Sequence, residues 1–190
     1  MRIIRYADLK SQQWLNGGGA TRVLDADVPG ADFGWRISIA SVDKAGPFSA
    51  LPGVDRVITL IDGEFLLLNV DGAEHGLEKH RPFRFSGDSL VSSEPVGVSM
   101  DLNVMTRRGA FQGFTTVLEL SKKRPHPVFP GQWAVLLQGD ATVSSTGDDG
   151  EAPVTLGRYD AVVGQGEADG TGTPELSGRG FVAIISIDAD

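Results

Sequence analysis

The chain has 190 residues, of which 41% are hydrophobic and 22% are charged, and it contains no cysteine. This length and composition allow one large domain or two small ones with a packed core, and they exclude disordered and fibrous proteins. The absence of cysteine excludes disulfides, thiolate nucleophiles and cysteine-ligated metals, and it fits a reducing cytoplasm.

No segment of the sequence is predicted to enter a membrane. Apolar runs such as 65–68 and 181–185 are far shorter than the roughly 20 residues that a membrane-spanning helix needs. Residues 1–8 lack the apolar stretch of a signal peptide. We therefore expect a cytoplasmic protein with no membrane partner.

The charge is negative overall and unevenly distributed. With 17 Lys and Arg against 25 Asp and Glu, the net charge is −8, so we expect no nucleic-acid partner. Residues 1–110 are nearly balanced, with 12 basic and 14 acidic residues, whereas residues 111–190 carry 5 and 11. Most basic residues of the first part are Arg, which indicates local recognition of an anion within an acidic protein.

The predicted elements are almost all short strands. Only residues 6–15 show helical character, enough for a turn or two. Elsewhere, β-forming runs separated by Gly, Pro and Asp are typical of an all-β sandwich or barrel. The predicted strands are 35–42, 57–61, 65–70, 98–105, 114–120, 133–138, 159–163 and 181–187. The polar, glycine-rich stretches 142–153 and 164–180 are predicted to be loops.

These elements repeat weakly along the chain. The shared landmarks are a strand, a strand–glycine–strand unit, a glycine–aspartate corner and a further strand. They lie at 35, 63, 87–88 and 98 in the first half and at 114, 139, 157–160 and 181 in the second. Each unit resembles a cupin half-motif, in which Gly63 or Gly139 occupies the turn of a β-hairpin. We predict two small β-barrels or jelly rolls related by an internal repeat, over residues 1–108 and 109–190, with the boundary placed to within ten residues.

Histidine placement argues against a metal centre. A metal-dependent cupin needs several His and a carboxylate that converge inside its barrel. His75, His80 and His126 all lie away from the two predicted hairpins. Arg56 stands where such a cupin carries a ligand Glu, and its positive charge opposes a metal and favours an anion. We expect no metal and no cofactor.

Strand alternation groups polar side chains on two faces. It places Arg36 and Ser38 on one face of strand 35–42, which is either solvent-exposed or part of a polar cavity. It places Asp101 and Asn103 together with Met105 on one face of the strand at 98–105. Because Asp and Asn are poor strand formers, two of them in an apolar run indicate a polar network inside the barrel, with a plain edge strand as the alternative.

The segment 14–22 contains three consecutive glycines. Such a run costs conformational entropy unless the backbone adopts positive φ or approaches another group closely. It lacks the Lys-Ser/Thr ending of a nucleotide-binding loop. It is either a tight turn, in which Asn16 and Thr21 bond the backbone, or a loop that presents N–H groups to an anion.

Together these segments resemble the HutD/Ves family of small bicupin proteins, which are linked to bacterial histidine utilisation. The matching blocks are Trp14-x-Asn16-Gly17-Gly18-Gly19-x-Thr21-Arg22, Trp35-Arg36-Ile37-Ser38-Ile39-Ala40, Gly46-Pro47-Phe48-Ser49-x-x-Pro52-Gly53-x-Asp55-Arg56, Phe85-x-Gly87-Asp88 and Asp101-x-Asn103-Val104-Met105-x-Arg107-Arg108. They lie in family order over residues 14–108, while residues 109–190 match only in general barrel pattern. Leu102 departs from the aromatic residue expected after the aspartate, a change that affects packing.

The resemblance implies a metal-free bicupin that modulates histidine catabolism by binding a small carboxylate metabolite such as urocanate, formylglutamate or formate. No residue is assigned as catalytic under this hypothesis. The candidate ligand-binding residues are Asn16, Thr21, Arg22, Arg36, Ser38, Phe48, Ser49, Arg56, Asp101, Asn103 and Arg107.

A carboxylate is bound well by Arg together with hydroxyl or amide donors. We therefore expect Arg36 and Arg56 to pair with the ligand and Ser38, Ser49 and Asn103 to supply hydrogen bonds. The remaining side chains are expected to surround the site, with Phe48 and Trp35 as walls and Asn16, Thr21 and Arg22 at the mouth.

Two other functions stay open at this stage. The first is a metal-independent enzyme, a hydrolase or isomerase acting on a formyl-amino acid or imidazole compound, with Asp55 or Asp101 as base and Arg56 as electrophile. The second is a protein-interaction role for the acidic part of the chain, which is compatible with ligand binding. Exposed edge strands would also be compatible with a homo-oligomer.

Overall fold

The computed structural model describes residues 1–146, 152–165 and 172–190. Within these ranges there is no α-helix, and no helix is long and apolar enough to cross a membrane. The strands are β1 (Arg2–Ile4), β2 (Gln12–Gln13), β3 (Gly19–Ala26), β4 (Trp35–Val42), β5 (Gly46–Pro47), β6 (Val54–Asp62), β7 (Phe65–Val70), β8 (Ala73–Leu77), β9 (Pro82–Ser86), β10 (Val91–Val96), β11 (Ser99–Arg107), β12 (Phe111–Leu120), β13 (His126–Pro127), β14 (Gln132–Ser145), β15 (Val154–Leu156), β16 (Ala161–Val163) and β17 (Pro174–Ala189). The prediction of an all-β fold is confirmed.

The chain divides into two units. The first unit comprises Leu9–Phe114 with Asp188–Asp190, and the second comprises Met1–Asp8 with Thr115–Ile187. The N-terminal segment belongs to the second unit because β1 pairs with β16, where Ile4 lies opposite Ala161. The sequence-based division instead grouped this segment with the first barrel.

The first unit contains two antiparallel sheets. One has six strands in the order β2-β3-β4-β11-β6-β9, and the other has four in the order β5-β10-β7-β8. Apolar side chains from both sheets form a shared core, so the sheets pack face to face as in a jelly roll and are not closed barrels. The buried members of this core are Val42, Ile58, Leu60, Leu66, Leu68, Leu77, Phe85 and Val91.

The second unit contains a seven-stranded sheet. Its central order is β1-β16-β14-β17-β12, with β15 paired to β14 and β13 paired to β17. A cluster of aliphatic side chains fills its interior. The buried members are Leu120, Val128, Ala134, Leu136, Ala141, Val143, Leu156, Val162, Leu176, Val182 and Ile184.

Neither predicted glycine hairpin is observed. The turn at Gly63 joins β6 of the six-stranded sheet to β7 of the four-stranded sheet, so these strands do not pair. Gly139 lies inside β14, opposite Gly180 of β17, next to a register shift between Leu136 and Gln138. Gly139 and Gly180 both have positive φ, and a side chain on either would collide with the backbone of the facing strand. The glycine pair therefore accommodates an irregularity within a long β-ladder and does not form a turn.

Two further predictions need correction. The predicted helical segment contains a single 3₁₀ turn, Tyr6–Asp8, followed by β2. The predicted loops at 142–153 and 164–180 are partly strand, because β14 extends to Ser145 and β17 begins at Pro174. The parts of these loops at 147–151 and 166–171 lie outside the described residues.

Candidate functional site

A cavity of about 570 Å³ lies in the first unit. Five strands of the six-stranded sheet, β2, β3, β4, β6 and β11, contribute side chains to it, and the remaining lining comes from the segment after β2 and from β5 and the residues that follow it. The lining residues are Gln13, Trp14, Leu15, Asn16, Thr21, Arg36, Ser38, Ala40, Pro47, Phe48, Ser49, Leu51, Arg56, Asp101, Asn103 and Met105. Three of them are charged: two arginines and one aspartate.

Strand alternation explains how the polar residues come together. On β4 and β11, the side chains that line the cavity are two residues apart, and the partners across the two strands share a face. Asn103 pairs with Ser38, and Met105 pairs with Arg36. A register shift between β11 and β6 lies between Met100 and Asp101, and such irregularities redirect side chains locally.

Arg56 is the most enclosed cation of the cavity. Its side chain is 6% exposed, and its guanidinium lies 4.9 Å from the ring centroid of Phe85 and 5.2 Å from that of Phe48. Its Nη2 donates to Oδ1 of Asn103 at 2.9 Å. Burial lowers the pKa of Arg56 to about 10, opposed by the charge of Asp101, so the group stays positively charged at neutral pH.

Asp101 is the buried acid of the cavity, with 1% of its surface exposed. Its Oδ1 accepts a hydrogen bond from Nδ2 of Asn103, so Asn103 links the carboxyl to Arg56. Burial raises the pKa of Asp101 to about 7, although the Arg56 charge and the Asn103 hydrogen bond both act to lower it. At neutral pH this carboxyl is therefore divided between its two protonation states.

Arg36 supplies the second positive charge. It is half-buried, its guanidinium lies 4.4 Å from the Phe33 ring centroid, and its Nη2 is 3.2 Å from the Met105 sulfur. Burial lowers its pKa. Because a thioether is a weak acceptor, this contact leaves most of the hydrogen-bonding capacity of the guanidinium unused.

Three buried polar atoms of this cluster have no hydrogen-bond partner among the described residues. They are Nε of Arg36, Nε of Arg56 and Oδ2 of Asp101. Buried polar groups in folded proteins are almost always hydrogen-bonded, because an unsatisfied group costs free energy. Three in one cavity indicate a place where a polar ligand or water belongs.

The glycine-rich segment contributes Trp14, Asn16 and Thr21 to the lining of the cavity. Trp14 Nε1 donates to Oγ1 of Thr21 at 2.8 Å, and the Trp14 ring meets Phe48 edge-on at a centroid distance of 5.9 Å. Oδ1 of Asn16 accepts the amide of Gly18 at 2.9 Å. The structure therefore shows a turn in which Asn16 bonds the backbone as expected, whereas Thr21 bonds the Trp14 side chain and not the backbone.

Nine of the eleven candidate ligand-binding residues line this cavity. Arg22 does not, because it follows Thr21 along β3 and alternation points it to the other face. Arg107 does not either, since its guanidinium lies 3.4 Å from the backbone oxygens of both Pro52 and Phe33. Trp35, proposed as a wall, is also absent from the lining.

Several lining residues were missed by sequence reasoning. Ala40 and Met105 lie on the same strand faces as predicted residues, so alternation alone could have identified them. Trp14 belongs to the glycine-rich block, and its indole donates to Thr21, another lining residue. Gln13, Leu15, Pro47 and Leu51 give no local signal, since the short strands β2 and β5 and the residues that follow them bring these side chains to the cavity.

His75, His80 and His126 do not line the cavity. His75 packs against the ring of Phe83 at a centroid distance of 4.6 Å. Over residues 1–146, 152–165 and 172–190, no group of three or more His, Asp or Glu side chains is placed to hold a metal ion.

Comparison with solved structures supports both the fold and the family. HutD from Pseudomonas fluorescens SBW25, solved in a formate condition, superimposes with a TM-score of 0.79 and 28% sequence identity, covering 100% of this chain and 98% of that one. A cupin 2 conserved barrel domain protein from Leptotrichia buccalis superimposes with a TM-score of 0.59 and 12% identity, covering 100% and 96%. The predicted cupin fold is confirmed.

Sequence comparison gives the same family. Protein Ves of Citrobacter koseri is 46% identical over 112 residues, which are 55% of this chain and 59% of that relative. The match thus spans less than two thirds of the length of this curated relative. The HutD family model, in contrast, matches residues 6–184. This match covers nearly the whole chain, so the predicted resemblance is confirmed and the chain belongs to the HutD family.

Proposed function

We propose that this protein is a non-enzymatic, metal-free binding protein whose cavity takes a small carboxylate metabolite. The observation that carries the proposal is the pair of arginines facing one cavity, each with a buried Nε that has no partner among the residues that the structure describes. A carboxylate can satisfy such groups, because guanidinium donors bind its two oxygens in parallel.

Charge also favours an anion. The cavity contains two cations, Arg36 and Arg56, against one acid, Asp101, whose raised pKa leaves it partly neutral at pH 7. The net charge at the site is therefore between +1 and +2. Enclosed, partly apolar surroundings strengthen the attraction of this charge for an anion, because the effective dielectric constant is lower than in water.

The proposed roles follow from position. Arg56 and Arg36 pair with the carboxylate, and Ser38, Ser49 and Asn103 supply hydrogen bonds. Phe48 forms a wall. Asn16 and Thr21 stand at the mouth, where they can contact the remainder of a larger ligand.

The regulatory part of the proposal rests on family membership. We propose that ligand binding modulates histidine catabolism in the cytoplasm, with urocanate, formylglutamate or formate as the bound metabolite. Because HutD of P. fluorescens was solved in a formate condition, formate is the first carboxylate to test.

A thermal-shift screen tests the proposal directly. Purified protein is scanned with formate, urocanate, N-formylglutamate, histidine, glutamate and a set of divalent metal ions. A carboxylate at 100 times its Kd should stabilise the fold by roughly 2.7 kcal/mol, a shift of a few degrees for a protein of this size. Stabilisation by metal ions alone would overturn the proposal.

Arg56→Gln tests the assigned contact. Glutamine keeps a donor for Asn103 but removes the charge, so carboxylate affinity should fall by about 2 kcal/mol or more, roughly 30-fold. Calorimetric titration with formate and N-formylglutamate measures the loss. Arg81→Gln is the matched control, because Arg81 is exposed and pairs only locally with Glu78. Equal affinities of the two variants would contradict the assignment.

A metal-independent enzyme is the second candidate, and one observation favours it. Asp101 is buried in the cavity with a pKa raised to about 7, which suits a general base at neutral pH. Asp55, the other candidate base, lies outside the cavity and pairs with Arg108 at 2.7 Å. Turnover of a formyl-amino acid or imidazole compound by EDTA-treated protein, lost in Asp101→Asn, would establish this function over binding alone.

A further inference from the structure

The hydrogen-bonded chain Arg56–Asn103–Asp101 connects the proposed anion site to a buried acid. Arg56 donates to Oδ1 of Asn103, and Nδ2 of Asn103 donates to Oδ1 of Asp101. Both ends of this chain are buried, with 6% and 1% of their surfaces exposed. The ionised Asp101 is therefore the counter-charge that the protein itself provides for the Arg56 guanidinium.

Among the residues that the structure describes, no other acid lines the cavity to take over this role. The charged groups that line the cavity are Asp101 on β11, Arg56 on β6 and Arg36 on β4. The segments around β2, β3 and β5 contribute uncharged side chains to it, among them Thr21, Phe48 and Ser49. Asp101 thus shares the cavity with two cations, and its Oδ2 has no hydrogen-bond partner among the described residues.

We propose that a carboxylate ligand replaces Asp101 as the counter-charge of Arg56, so that Asp101 takes up one proton from solvent as the ligand binds. This inference rests on the proposed function, and it adds the coupling of that function to pH. In the reaction, ligand anion, proton and ionised site combine to give a complex in which Asp101 is neutral. No covalent bond to the ligand forms, and the proton comes from the buffer.

The physical reason is that two anionic groups in this enclosed site cost more free energy than one. An ionised Asp101 is stabilised by Arg56, and burial alone disfavours its charge. A bound carboxylate both engages Arg56 and repels the aspartate charge, so both effects raise the pKa of Asp101 further from about 7. Asp101 acts here as a charge-balancing residue that need not touch the ligand.

The coupling fixes the direction of the pH dependence. Below about pH 7 Asp101 is already neutral in the free protein, so affinity for a carboxylate should be constant. Above pH 7 binding requires proton uptake, so Kd should rise about tenfold per pH unit until the pKa of the complex is reached. Formate and N-formylglutamate suit the measurement, because ordinary carboxylic acids titrate near pH 4 and stay ionised throughout this range.

The Asp101→Asn variant distinguishes an Asp101 that takes up a proton on ligand binding from one that has only a structural role. Asparagine resembles the neutral aspartic acid in shape and keeps an Oδ1 acceptor for Asn103. The affinity of the variant for formate should be the same at pH 6 and pH 8. At pH 8 it should exceed the affinity of the unchanged protein about tenfold. Asp43→Asn is the matched control, since Asp43 is exposed in the same unit and its loss should leave the pH dependence unchanged.

Calorimetric titration in buffers of different ionisation enthalpy gives a second readout that needs no variant. At pH 8 the unchanged protein should take up close to one proton per bound formate or N-formylglutamate, and Asp101→Asn close to none. Binding with the same proton count and pH dependence in both proteins would overturn this inference and leave the proposed function standing. Absence of binding by formate, N-formylglutamate and urocanate at pH 6 would overturn the proposed function, and this inference with it.

Discussion

Single residues decide the chemistry of this cavity, and Asp101 does so most directly. Its neighbours on the cavity face of β11 and across β4 are Asn103 and Ala40, neither of which carries charge. The opposite charge that acts on it is that of Arg56, which is linked to Asp101 by hydrogen bonds through Asn103. An acid held in this way keeps a raised pKa despite a cation nearby, because burial outweighs the partly screened attraction.

Asp101 should therefore make the folded protein less stable as pH rises. Its pKa is about 7 when folded against an ordinary value of 3.8, so between these values the folded state holds a proton that the unfolded state has lost. The unfolding free energy should fall from about pH 4 to about pH 7, by up to about 4 kcal/mol, and level off above that. Urea denaturation at pH 5 and pH 8 measures the difference.

Asp101→Asn should abolish this part of the pH dependence, and at pH 8 it should be at least as stable as the unchanged protein. Asp43→Asn, which removes an exposed carboxylate, controls for the change in net charge. Asp101→Asn and the unchanged protein could instead lose equal stability between pH 5 and pH 8. The Asp101 carboxyl would then be ionised in the folded protein throughout this range, which would contradict a pKa raised by burial.

At the scale of elements, sequence reasoning correctly predicted structural features that depend on neighbouring residues. It missed features that depend on pairing with residues far along the chain. The two-residue period of β4 and β11 placed Ser38 and Asn103 correctly on shared faces, because alternation is a local property. It could not show that the turn at Gly63 changes sheets, or that Gly139 lies opposite Gly180, since both depend on long-range pairing. Arg22 belongs to a block that resembles the family but does not line the cavity, and its place directly after Thr21 could already have indicated that it lies on the other face of β3.

The start of β3 shows how one element shapes the site. Gly19 pairs with Val42 on β4, and a side chain at Gly19 would press on the Ser41 carbonyl and on the ring of Trp14. Gly17 has a φ of 65° but open space around its Cα. The two glycines therefore have different requirements: Gly19 needs a close backbone approach, and Gly17 needs a left-handed conformation.

Gly19→Ala should accordingly cost more than Gly17→Ala. We expect a loss of roughly 2–3 kcal/mol for Gly19→Ala from overpacking against β4, and about 1 kcal/mol for Gly17→Ala from the left-handed backbone. Urea denaturation at one pH measures both. Because Gly19→Ala also displaces Trp14, it should weaken formate binding, whereas Gly17→Ala should change binding little. Equal losses in stability would show that the approach of Gly19 to Ser41 is not needed.

At the scale of the whole molecule, two units of related architecture differ in what fills them. The first unit contains a cavity lined by Arg36, Arg56 and Asp101, while the core of the second unit is a cluster of aliphatic side chains that includes Leu136 and Val182. An aliphatic cluster offers a carboxylate no donor and no charge, so burying one there would cost several kcal/mol. The ligand is therefore expected to act on the first unit.

Hydrogen exchange tests the expectation that the ligand acts on the first unit. With formate or N-formylglutamate at 100 times its Kd, amides of β3, β4, β6 and β11 that exchange through opening of the site should slow by up to about 100-fold. Amides of β14 and β16, in the second unit, should change little, because their opening does not release the ligand. Arg56→Gln, mixed with the same concentration of carboxylate, should lose the protection in the first unit. Equal protection of both sets that persists in Arg56→Gln would mean that the ligand binds elsewhere, and it would exclude the first-unit cavity as the binding site.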